Sequence, residues 1–137
     1  MFLDASAVVA IMEREAGWQE LQTRLEAGVA LWYSALVRFE VAQAIARRQG
    51  GKRRPTAAQF AEASGHVDRF FAAIEAKVVD IDAKIGSLAI EASMRYGKAV
   101  GHRADLNMGD CFAYASAKAL NVPLLYKGED FAKTDLA

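Results

Sequence analysis

Four acidic residues stand at positions where a carboxylate could do chemistry. Asp4 follows the short apolar run Met1-Phe2-Leu3, and Asp130 follows the apolar run Val122 to Tyr126 and the turn Lys127-Gly128. Both runs read as strands, and in open α/β sheets ligands bind in the crevice beyond the carboxyl ends of strands. Glu40 shares a helix face with Val37, Val41 and Ala44, so a carboxylate sits on the stripe that should meet the core. Burying that charge is costly unless a cation meets it. Asp110 shares a face with Ala113, Tyr114 and Ala117, where small residues let the helix approach another element closely. Carboxylates drawn into one crevice repel, and their pKa values rise unless a cation compensates. Oxygen-only ligands select Mg²⁺ or Mn²⁺, ions that can deliver a water for in-line attack on a phosphodiester.

Each acid also has a plainer reading. Asp4 is a good N-cap for the helix after it, with Ser6 as an alternative cap. Glu40 could snorkel at the edge of its stripe or pair with Arg47 or Arg48. Asp110 lies three residues after Asn107 and fits a variant of the capping box. Asp130 could be a solvated turn acid or a cap for the Phe131 segment, and for Glu129 and Asp135 such a role is preferred.

The elements that must carry these residues follow from periodicity and from turn signals. Met1 to Leu3 is strand-like, Ala5 to Glu15 helical, and Trp18, Leu21 and Leu25 recur at helical spacing before Gly28. Val29 to Tyr33 reads as a buried strand. Ser34 caps a helix running to about Gln49, with Gly50-Gly51 as terminator. After the basic turn Lys52-Arg53-Arg54-Pro55, Thr56 opens a helix carrying Phe60, Val67, Phe70, Phe71 and Ile74. Val78 to Ile81 is strand-like, Asp82 caps a helix to about Gly97, and Asn107 opens another reaching Leu120. Val122 to Tyr126 is a strand with proline near its start, where it is tolerated. Strands alternating with helices predict an α/β layered domain with a mainly parallel sheet and right-handed crossovers.

Composition narrows the function classes. The 137 residues fit one domain, with no repeat or linker. Lys plus Arg and Asp plus Glu number 17 each, so no whole-protein positive field attracts nucleic acid, and any basic footprint must be local. A single cysteine, Cys111, makes no intrachain disulfide and fits a reducing, cytoplasmic compartment. The apolar start lacks a basic leader region and carries Asp4, so it reads as a core element, and no apolar stretch is long enough to span a membrane. His66, His102 and Cys111 have no zinc-ligand spacing, and neither a phosphate-binding loop nor a dinucleotide fingerprint is present.

Met1-Phe2-Leu3-Asp4-Ala5-Ser6-Ala7, the Glu40 helix from Ser34 to Val41, and above all Leu106-Asn107-Met108-Gly109-Asp110-Cys111-Phe112-Ala113-Tyr114-Ala115 resemble PIN domains of the VapC toxin family. The tail Leu124-Leu125-Tyr126-Lys127-Gly128-Glu129-Asp130-Phe131-Ala132-Lys133-Thr134-Asp135-Leu136 is similar to that family's ending. The motifs are in order and span nearly the whole chain. Tyr126, Glu129 and Arg103 depart from the pattern, where Phe, Asn or Asp, and Pro are more usual.

This resemblance implies a three-layer αβα PIN-like domain and a metal-dependent endoribonuclease acting as the toxin of a type II toxin-antitoxin pair. It matches Asp4, Glu40 and Asp110 to the main metal-binding and catalytic acids and Asp130 to a more variable fourth, around Mg²⁺ with Mn²⁺ as substitute. Ser6 and Asn107 stand in supporting positions. Implied partners are RNA, a VapB-like antitoxin that inserts a basic side chain among the acids, and a second copy of the chain. Arg47, Arg48, Lys52, Arg53 and Arg54, at the end of the Glu40 helix, are the candidate phosphate contacts, with Lys127 or Lys118 as others near the cleft. The competing readings are a PIN nuclease of RNA maturation, without an inhibitory partner, and a non-catalytic α/β binding module such as a receiver-like domain modified at Asp4 or Asp80.

Overall fold

A computed structural model describes residues 1–136. Four strands, β1 (Phe2–Leu3), β2 (Trp32–Ser34), β3 (Lys77–Val79) and β4 (Leu124–Leu125), form one parallel sheet in the order β3-β2-β1-β4. Six α-helices connect them: α1 (Ala5–Met12), α2 (Trp18–Leu25), α3 (Ala35–Gly50), α4 (Ala57–Ala73), α5 (Ala83–Tyr96) and α6 (Met108–Leu120). The chain steps from β1 to β2 to β3 in one direction and then crosses back past β1 to reach β4. Right-handed crossovers therefore put α1 to α4 on one face and α5 and α6 on the other. The packing agrees: α1 lies on α2 and α3, α3 on α4, and α5 on α6. The sheet is thus the middle of three layers, as expected from the alternation of strands and helices.

Most helix starts are where capping chemistry predicts. Ser34 Oγ accepts from the amide of Val37 at 3.3 Å and Asp82 from that of Ile85 at 2.8 Å. Thr56 and Gln59 form a reciprocal capping box, as do Asn107 and Asp110. The core joins the strands to both helical layers through fully buried Phe2, Leu3, Val8, Val37, Val41, Val67, Phe71, Leu106 and Leu125. Here Phe71 of α4 stacks on Tyr33 of β2, with ring centroids 3.7 Å apart. The start of the chain is indeed a core element.

Several boundaries differ from expectation. The first helix stops at Met12 rather than Glu15, because Arg14 turns into left-handed backbone (φ 51°). The strand expected over Val29 to Tyr33 is shifted to Trp32–Ser34, and Val29 is half exposed. Likewise Lys77–Val79 replaces Val78 to Ile81, and only Leu124–Leu125 of Val122 to Tyr126 pairs as strand. Proline has no amide hydrogen to give, so at Pro123 it is the carbonyl that joins the sheet, accepting from Phe2 N at 2.8 Å.

Truncating Phe71 removes an aromatic ring from the stack between α4 and β2. Phe71→Ala is expected to lose about 3 to 5 kcal/mol of unfolding free energy, measured by urea denaturation. A loss below about 1 kcal/mol would mean that the stack contributes little.

Candidate active site

The order β3-β2-β1-β4 has its switch point beside β1, where the chain leaves one strand for one layer and returns to its neighbour from the other. Such a point opens a crevice at the carboxyl ends of the strands. A cleft of about 410 Å³ lies there, lined by Asp4, Ser6, Glu15, Glu40, Arg47, Asn107, Asp110 and Lys127 among others. Residues 4, 40 and 110 thus reach one place from the end of β1, the middle of α3 and the first turn of α6.

Asp4 is only 3 % exposed. Its Oδ2 accepts from the Ser6 amide at 2.8 Å and from the Ser6 hydroxyl, while its backbone N–H donates to Leu125 O at 2.9 Å. Ser6 Oγ also accepts from the amide of Lys127 at 3.0 Å, which pins the loop after β4 to the start of α1. The capping reading of Asp4 and the cleft reading hold together: the cap is what aims the carboxylate. Asp110 behaves in the same way. Its Oδ2 accepts from Asn107 N at 2.8 Å, and Asn107 Oδ1 accepts from Asp110 N at 3.1 Å. Glu40 has no hydrogen bond or ion pair among the described residues, so the plainer alternative of a pair with Arg47 or Arg48 does not form.

What seats Glu40 is a glycine. A Cβ placed on Gly109 would overlap the Glu40 carboxylate, lying 2.7 Å from its Cδ and 2.9 Å from Oε2. Gly109 stands in the sequence between Met108 and Asp110 without an evident role of its own. Its signal was a glycine inside the first turn of a helix, beside an acid, where glycine weakens the helix and so implies a close approach.

The electrostatics follow from the geometry. Burial raises the Asp4 pKa despite the hydrogen bonds from Ser6, and the charge of Asp130 adds to the rise. Burial, then the charges of Asp4 and Asp110, pushes Glu40 up to about 7. Asp110 is raised to about 6, chiefly by burial and further by Asp4 and Asp130, against the bond from Asn107. Asp130 itself is exposed and stands outside the lining of the cleft, at a distance from which its charge still acts on two of the acids.

Three carboxylates with raised pKa values are an oxygen donor set short of positive charge, which suits a hard divalent cation. Asp4, Glu40 and Asp110 could hold one. Among the described residues no group of three or more such side chains is already closed around a common point.

Other expected site residues fall elsewhere. Arg47 lines the cleft, but Arg48 is engaged by Glu15 and, at 3.6 Å, by Glu13, which counts against it as a free phosphate contact. Lys52, Arg53 and Arg54 are exposed on the turn between α3 and α4, outside the cleft lining. Lys118 pairs with Asp135 at 2.8 Å, and Tyr114 donates to the same carboxylate at 2.7 Å, so Asp135 is tied to α6 rather than being a solvated turn acid. His102 accepts from the amide of Ala104 through Nδ1, Cys111 is a buried free thiol, and Asp80 is exposed beyond an edge strand.

An all-parallel α/β domain with an acid-lined cleft at its switch point defines a class of scaffold able to take a divalent metal, and comparison with known proteins says which family it is. The PIN-domain family model matches residues 1–136. A VapC ribonuclease of Rhizobium meliloti is 45% identical over 139 residues, covering 98% of each chain. Ribonuclease VapC42 of Mycobacterium tuberculosis is 37% identical over 136 residues, covering 99% of this chain and 96% of its own. In fold, the crystal structure of M. tuberculosis VapC20, a toxin described as cleaving the sarcin-ricin loop, superposes with a TM-score of 0.70 at 17% identity, covering 96% and 92% of the two chains. This chain belongs to the PIN-domain family, in its VapC group.

Carboxyls whose folded pKa lies above the unfolded value stabilise the fold fully at pH below the unfolded value. That stability is lost as pH rises through the folded pKa. In chelator-treated protein the unfolding free energy should therefore fall between about pH 4 and pH 7, the window from ordinary carboxyls up to Asp110 and Glu40. Asp110→Asn should flatten that fall, and a urea-midpoint profile as steep as wild type would argue against it. Gly109→Ala should change the unfolding free energy by less than about 1 kcal/mol while displacing the carboxylate. An unchanged Glu40 titration in carbon-detected NMR would show that the seat is not needed.

Proposed function

We propose that this protein is a metal-dependent endoribonuclease of the VapC kind, the toxin of a toxin-antitoxin pair, that uses Asp4, Glu40 and Asp110 to hold Mg²⁺ or Mn²⁺. The observation that carries the reading is the convergence of these three carboxylates, from three separate elements, in one cleft built to take them. Its relatives are named VapC ribonucleases over nearly their full lengths. Bound Mg²⁺ or Mn²⁺ would supply charge neutralisation and activation of water for attack on an RNA phosphodiester. The chain's own part is orientation. Ser6 fixes Asp4, Asn107 fixes Asp110, and Gly109 admits Glu40, so the three acids lose little freedom when a cation binds. Asp130, outside the cleft lining, adds its charge to the negative potential of the site.

A VapB-like antitoxin that presents a basic side chain would find there the charge it complements. A second copy of the chain is supported by the apolar recess of α5 and α6, about 510 Å³ and lined by Ile90, Met108 and Phe112 among others, with Met94 exposed nearby. Light scattering that returns a monomer, or an Ile90→Glu variant that stays dimeric, would remove that part. No helix among the described residues is long and apolar enough to cross a membrane, in keeping with action on cytoplasmic RNA.

The test is cleavage of a mixed set of structured RNAs by antitoxin-free protein in Mg²⁺ or Mn²⁺, with and without chelator. Discrete cutting should vanish with chelator and fall at least about a hundredfold in a folded Asp110→Asn variant, the scale of lost transition-state charge stabilisation. Cutting undiminished by either change would sink the site assignment. Growth arrest on expression, absent in the variant, separates a toxin from a nuclease of RNA maturation. Absence of both cutting and metal affinity would instead favour the binding module.

A further inference from the structure

The wall of the cleft facing the acids carries a cation held by an ion-pair bridge that the metal site does not use. Lys127 Nζ donates to Glu15 Oε2 at 2.6 Å, and the other oxygen of Glu15 accepts from Arg48. Glu15 follows α1, Arg48 ends α3 and Lys127 follows β4, so one carboxylate ties together three segments at the mouth of the cleft. Lys127 and Glu15 line the same space as Asp4, Glu40 and Asp110. Their side chains are about a third and a quarter exposed, so the pair is neither a loose surface bridge nor sealed away.

A second bond fixes this lysine relative to the acids. Its own amide donates to Ser6 Oγ at 3.0 Å, and that hydroxyl donates to Asp4. One serine therefore locates both the base of the lysine and the most buried acid. An ammonium has three donors, and Glu15 takes one, leaving two for a ligand in the cleft. Glu15 and Glu13 together balance Lys127 and Arg48, so what this cluster offers an anionic strand is the pair of free ammonium donors on Lys127 rather than a net positive field.

Resting on the nuclease reading above, we propose that Lys127 contacts a phosphate oxygen of the RNA strand and that Glu15 is the positioning residue that presents it. A mobile lysine would lose its rotamer freedom on binding, whereas one already held by Glu15 has lost much of it beforehand.

Cleavage kinetics and RNA binding of the full chain test this, using one structured RNA that wild type cuts. Lys127→Met should lower kcat/KM about tenfold or more, the scale of a charged hydrogen bond, with Lys127→Arg recovering most of it. In an Asp110→Asn background, RNA affinity measured against salt should show a slope smaller by about one when Lys127 is also replaced. Glu15→Ala should lose part of the same activity, and combining it with Lys127→Met should cost nothing beyond Lys127→Met alone. Melting temperatures identify any variant whose loss is one of folding, in which case Lys127→Gln replaces it. Wild-type kinetics and salt slope in Lys127→Met would overturn the proposal, and independent, multiplying losses would overturn the role of Glu15. Should wild type cut no RNA at all, the nuclease reading falls and the salt slope alone decides on Lys127.

Discussion

Keeping a carboxylate nearly out of water, beside two others, is the constraint around which this protein is built. Asp4 is almost wholly buried, and neither Glu40 nor Asp110 has a cationic partner among the described residues to offset it. The cost of such a cluster is reduced by hydrogen bonds where the backbone can give them: Ser6 to Asp4, and Asn107 to Asp110. The rest appears as raised pKa values, a state that a cation would reverse. Folding and function pull in opposite directions here, as they often do at sites kept for chemistry rather than stability.

The architecture makes the clustering achievable. Parallel strands all end on one side of the sheet, so loops distant in sequence arrive together, and the reversal beside β1 leaves room between the layers. Helix ends then convert position into direction. Asp4 and Asp110 are both capping residues, and a capping side chain has little rotational freedom. What looked like two competing explanations for each acid is one device serving two ends, because the bond that starts the helix also points the carboxylate into the cleft.

Much of this was legible in the chain. The layered α/β class, the caps at Ser34, Asp82 and Asn107, and the places of Asp4, Glu40 and Asp110 followed from alternation, capping chemistry and a motif resemblance. Strand limits were not, since Leu124–Leu125 pairs only because Phe2 and Leu3 lie beside it, a long-range fact that the local apolar run Val122 to Tyr126 cannot convey. Neither was the end of α1 at Met12, where backbone beyond the helix overrides apolar periodicity. In the basic cluster at the end of α3 the partner of Arg48 was not legible either: it is Glu15, an acid 33 residues away that no local pattern pairs with it. Gly109 was visible as a residue but not as a vacancy, because the atom it makes room for belongs to α3.

The pairing of β1 with β4 has a consequence in time. The first strand of the chain waits for the last, since Phe2 and Asp4 donate to Pro123 and Leu125, and Ser6 receives the amide of Lys127. During synthesis, nothing emerging before those residues can complete the sheet or the cleft. A chain halted short of β4 carries Asp4, Glu40 and Asp110 but lacks the neighbouring strand and the Lys127 amide that fix the end of β1, so the gathering of charge is among the last events of assembly.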